Sequence, residues 1–121
     1  MAFYSRENPP PVGEFKNLEE VSIPTTKMLA IGTVTENGTA ADRDDIRPFE
    51  IRETIRLHLG GKIEQMFYKT ESTPKGVVFI MNVSHKQEAQ ELLKALPFGV
   101  AGFMEFELIP LGPLKPLGLL L

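Results

Sequence analysis

Residues 62–96 read KIEQMFYKTESTPKGVVFIMNVSHKQEAQELLKAL, and their pattern decides the fold. Lys62 to Lys69 alternates, which predicts a strand with Ile63 and Phe67 on the face opposite Met66 and Tyr68. Thr73-Pro74-Lys75-Gly76 is a turn, and Val77 to Val83 is a nearly continuous apolar strand behind it. Ser84-His85-Lys86-Gln87 has the form of a capping box, in which the serine caps and the glutamine reaches back. The helix it opens sets Ala89, Leu92, Leu93 and Leu96 on one stripe, and Pro97 stops it.

On the N-terminal side, Met28 to Thr35 (MLAIGTVT) is a short apolar run stopped by Asn37-Gly38 and is expected to be a buried strand. Asp42 to Asp45 supplies acidic caps for a helix to about Leu59, closed by Gly60-Gly61, with Pro48 in its first turn or at a short kink. On the C-terminal side, Gly102 to Ile109 (GFMEFELI) alternates as a last strand. The order is β-α-β-β-α-β, an α+β ferredoxin-like plan with an antiparallel sheet.

The ten prolines frame this core. Four lie in residues 1–26, three in residues 110–121, and three in the 83 residues between. Three regions are expected: an N-terminal arm (1–26) with stiff Pro9-Pro10-Pro11, a core domain (27–109) and a Leu/Pro-rich C-terminal arm (110–121). That last arm holds six leucines in twelve residues, too apolar to hang in water, and is expected to cross to a partner protomer. So short a core buries roughly 60–65% of its unfolded surface, which favours association into a homodimer or higher homo-oligomer.

Composition excludes much chemistry. With no cysteine there is no disulfide, zinc-thiolate site or thiol nucleophile, and a cytoplasmic location is expected. The N-terminus is charged where a signal peptide needs an apolar run, and the Pro-broken leucine tail is too short to span a bilayer, so no membrane role is expected. Thirteen Lys and Arg face sixteen Asp and Glu without a basic cluster, which argues against nucleic acid. Lys75-Gly76-Val77-Val78-Phe79-Ile80 echoes an RNA-recognition strand, but it offers only Phe79 for base stacking. His58 and His85 are too few and too separated for a metal site, and no cofactor-binding motif is present.

The candidate site residues cluster on the first helix. Ile51, Ile55 and Leu59 form one stripe with His58 at its margin, and Ile46, Phe49 and Leu57 form a second on the opposite side. Glu50 and Glu53 stand within the second. A carboxylate among apolar neighbours has a raised pKa and can move protons near neutrality. The plainer reading pairs Glu50 and Glu53 with Arg47, Arg52 or Arg56 on a solvated face. Glu105 and Glu107 share a face with Phe103 and Ile109, as charges guarding a sheet edge.

Leu96-Pro97-Phe98 followed by FMEFELIPL (103–111) resembles the end of the muconolactone isomerase family, small dimeric α/β barrels with a ferredoxin-like protomer. Arg47-Pro48-Phe49-Glu50 and then Gly61-Lys62 are similar to that family's Lys-x-x-Glu pair and Gly-Lys, and the resemblance spans about residues 27–115. Two departures accompany it. The family's lysine is Arg47, which cannot be a general acid or base, and its Trp-Arg after Gly-Lys is Ile63-Glu64.

The resemblance implies a cofactor-free, isomerase-like proton transfer on a small anionic organic acid or lactone. Glu50, Arg47 and His58 would form the catalytic set, with Glu53 and Tyr68 on the substrate. A non-enzymatic dimeric binding protein of the same superfamily stays open, as does, with less weight, a cofactor-independent monooxygenase. A cavity reaching Glu50 favours an enzyme; a closed core with Glu50 paired to Arg47 favours a binding protein.

Overall fold

In the computed structural model, which describes residues 22–114, four antiparallel strands form one sheet. Expectations for residues 1–21, including Pro9-Pro10-Pro11, and for the tail from Lys115 lie outside the described residues. The element order is β1 (Lys27–Val34), α1 (Ala40–Leu59), β2 (Ile63–Tyr68), β3 (Gly76–Met81), α2 (Lys86–Lys94), α3 (Pro97–Ala101) and β4 (Met104–Leu111). The strand order β2-β3-β1-β4 makes this a ferredoxin-like α+β fold. Among the described residues no helix is long and apolar enough to cross a membrane.

The two sheet faces differ. Directly opposed residues share a face, and Met28↔Met81, Ala30↔Phe79 and Ala30↔Leu108 place the buried side chains of three strands on the helix side. Ala89, Leu93 and Leu96 of α2 and its C-terminal flank close over them, as the stripe in the sequence predicts. The opposite face carries Leu29, Ile31, Val78 and Ile80, all only partly covered.

Strict alternation misplaces β2. Ile63 opposes Met81 but Gln65 opposes Ile80, so Glu64 is an inserted bulge residue. The bulge reverses the side-chain parity behind it. Ile63, Met66 and Tyr68 therefore share the helix-side face, and Phe67 opposes Val78 on the other, contrary to the grouping of Ile63 with Phe67. Only Ile63 of this strand is buried.

Helix starts also differ. The N-cap of α1 is Thr39, not the Asp42 to Asp45 run; Asp42 is the partner in a capping box. Asp42 N–H donates to Thr39 Oγ1 at 3.1 Å, and Asp42 Oδ2 accepts from Thr39 N–H at 2.8 Å. Accepting the backbone N–H holds the Asp42 carboxyl below its usual range. The box expected at Ser84 to Gln87 does not form: His85 is the N-cap without a side-chain bond, and Gln87 bonds Glu91 instead. Pro97 ends one helix and, at an N-terminal position where a missing N–H costs nothing, opens α3. Gly102, at φ 73°, closes that helix in the left-handed region.

Two expectations about β4 are corrected. Phe103 precedes the strand and is buried edge-on against Phe98, 5.9 Å between centroids, rather than sharing the face of Glu105 and Glu107. The strand also continues through Pro110 and Leu111, opposite Met28 and Lys27. An edge strand tolerates a residue with no N–H to give.

Candidate functional site

Helix α1 spans twenty residues yet buries none of them. Its C-terminal end is anchored, because Leu57 packs on the core and His58 Nδ1–H donates to the Ile63 carbonyl at 2.7 Å. Pro48 lies inside the helix, not in its first turn. A helix lying flat on the sheet would bury one whole stripe. Here Ile51 and Ile55 remain 49% and 45% exposed. The space between α1 and the sheet is a cleft of about 690 Å³.

Val77, Phe79, Met66 and Met104 of the sheet, with Phe98 of α3, give the cleft its apolar side. Arg47, Glu50, Ile51, Thr54 and Ile55 line it from α1, at the i, i+3, i+4 spacing of one helix face. The hairpin between β2 and β3 adds Tyr68, Lys69, Ser72 and Lys75. Apolar walls with a few convergent polar groups are the usual make-up of a small-molecule site.

Glu50 is the acid among the residues that line the cleft. Its Oε1 accepts the backbone N–H of Phe98 at 2.8 Å, and its Oε2 lies 3.4 Å from the Thr54 hydroxyl, a long and weak bond. Burial raises its carboxyl above the ordinary glutamate range, and the two hydrogen bonds offset this only in part. Glu50 thus sits in a cleft wall as a held, partly desolvated carboxyl group.

The sequence candidates separate in space. Arg47, Glu50 and Tyr68 meet in the cleft. Arg47 is ion-paired with Asp44 rather than Glu50. Tyr68 is 81% exposed at the mouth. Glu53 turns away and pairs with Arg56 at 3.4 Å, so the plainer helical pairing holds for Glu53 and not for Glu50. His58 does not line the cleft, and its ring ties α1 to β2. Thr54, Phe98 and Lys75 also line the cleft and are not among the site candidates of the sequence. Thr54 could have been found by its i+4 spacing from Glu50; Phe98 acts through a backbone N–H that leaves no trace in residue type.

No family model matches the chain, and no curated protein matches it. Nine solved chains match by structure. Among them is 5-chloro-2-hydroxyhydroquinone dehydrochlorinase from Burkholderia phenoliruptrix AC1100, in complex with 2,5-dihydroxybenzoquinone. It superposes with a TM-score of 0.59 at 16% identity, covering 74% of this chain and 97% of that one. At that identity the likeness shows a shared fold.

Proposed function

We propose that this protein is a small-molecule enzyme that moves a proton between carbons of a small anionic organic acid or lactone, without a cofactor. The observation that carries this reading is the open cleft reaching Glu50, a carboxyl group held by Phe98 N–H and partly withdrawn from water. The binding-protein alternative calls for a closed core with Glu50 paired to Arg47, and neither feature is present. The dehydrochlorinase of the same fold, holding a dihydroxybenzoquinone, lends support to a ring-sized substrate.

In the proposed step, Glu50 takes a proton from a carbon beside the substrate carbonyl. The C–H electron pair moves into the π system and onto oxygen, giving an enolate. Glu50 then returns the same proton to a different carbon as the electrons move back, so the isomerisation is redox-neutral. Arg47 is the donor to the enolate oxygen. Its exposed pairing with Asp44 occupies part of a fork of five N–H groups and leaves donors over. Tyr68, at the mouth, contacts the substrate.

The reading includes a cytoplasmic homodimer. Its interface would lie on the sheet face carrying Leu29, Ile31, Val78 and Ile80, with the C-terminal arm as a further contact.

The test is Glu50→Gln against a panel of unsaturated lactones and their ring-opened acids. Glutamine can still accept the Phe98 N–H but cannot take a proton. For any substrate the native protein turns over, kcat should fall by about 10²–10⁴ with KM little changed. Unchanged turnover removes Glu50 from the mechanism and the proposal with it.

A further inference from the structure

The charge of the cleft differs from that of the chain. Against a formal net charge of -3, the cleft is lined by three cations, Arg47, Lys69 and Lys75, and one acid, Glu50. Arg47 shares its guanidinium with Asp44, and its remaining donors are assigned above to the enolate oxygen. Lys69 is turned away: its Nζ donates to Thr33 Oγ1 at 2.9 Å, and its stem lies on the side toward which a Gly76 side chain would point. Thr33 and Gly76 oppose each other on the face of the sheet away from the helices. The Lys69 ammonium is therefore spent on the wrong side of the sheet.

Lys75 differs on both counts. Among the described residues it forms no ion pair. Its carbonyl accepts Val34 N–H at 2.9 Å, which fixes its backbone to the end of β1. Lys75 stands one residue before β3, at the cleft end of the β2–β3 hairpin, and lines the cleft beside Val77 and Tyr68. A fixed backbone with an exposed ammonium at the cleft suits a point-charge contact to an anion.

We infer that Lys75 is the specificity-determining residue of the cleft: it takes the anionic group of a planar, ring-sized ligand whose ring lies against Phe79, Phe98 and Met66. This rests on the cleft being the binding site, as proposed above, but not on Glu50 being the base.

The full-length chain is titrated calorimetrically with benzoate and with benzamide, its neutral counterpart of the same shape. The native protein should bind benzoate at least about tenfold more tightly, with affinity that falls as salt rises. Lys75→Met should lose that tenfold preference and most of the salt dependence while its affinity for benzamide stays unchanged. Lys75→Arg should retain the preference, as should Lys69→Met. Equal binding of the two probes, binding of neither, or an unaltered preference in Lys75→Met overturns the assignment, as does equal loss in Lys69→Met. Lys75 is exposed, and a far-UV spectrum confirms that each variant is folded. Glu50→Gln separates the two proposals: if it keeps its turnover, the proton-transfer reading fails, while the benzoate preference still decides on Lys75.

Discussion

At Glu50 a single side chain carries both the proposed chemistry and a stability signature. Its carboxyl holds its proton to higher pH in the folded chain than in the unfolded one, because burial disfavours the charge. The folded state then binds more protons between the ordinary and the raised value, and stability falls as pH rises through that window. Glu50→Gln should flatten this part of the pH–stability curve in thermal or urea unfolding. The rate–pH profile of an accepted substrate should show its acidic limb above the ordinary glutamate range and lose it in Glu50→Gln. Glu50 was legible in the sequence as a carboxylate among apolar residues. Its separation from Glu53 was not, because both stand on the same helix, and only the Phe98 N–H, 48 positions along the chain, draws one of them inward.

The element that makes the cleft is α1, a long helix with no buried residue. Its stability depends on its ends more than a packed helix's would. Thr39→Ala removes the capping hydroxyl and should cost about 1 kcal/mol. That loss should show first as faster amide hydrogen exchange in the first turns of α1, with the sheet little affected. Asp42 works in the same box, and its lowered pKa means that its contribution is lost only as pH falls through that lowered value. In the sheet, a Cβ on Gly76 would collide with the Gly32 carbonyl oxygen of the neighbouring strand. Gly76→Ala should therefore destabilise the fold by about 1–3 kcal/mol in urea unfolding, the usual cost of overpacking. The Ala89–Leu96 stripe was readable because helical period and burial coincide there. The bulge at Glu64 was not, since an inserted residue changes the parity of a strand without changing its composition.

For the whole molecule, the partly covered sheet face raises the question of assembly. Leu29, Ile31, Val78 and Ile80 make a contiguous apolar surface that a second copy could cover. Under the proposed homodimer, Ile80→Lys should shift the protein to a monomer by light scattering. Its circular dichroism should be unchanged, because Ile80 is only partly buried within one chain. The β-α-β-β-α-β order, the sheet plan, the α2 stripe and the candidacy of Glu50 followed from the sequence alone, because hydrophobic period, turn residues and helix breakers act over a few neighbouring positions; the short α3 did not. Tertiary structure decided the rest. The bulge set Met66 and Tyr68 facing the cleft, the His58 ring came to tie α1 to β2, and the Lys69 ammonium was drawn to Thr33 on the sheet face away from the helices. Each of these depends on which distant backbone group a side chain meets, and local pattern carries no record of that.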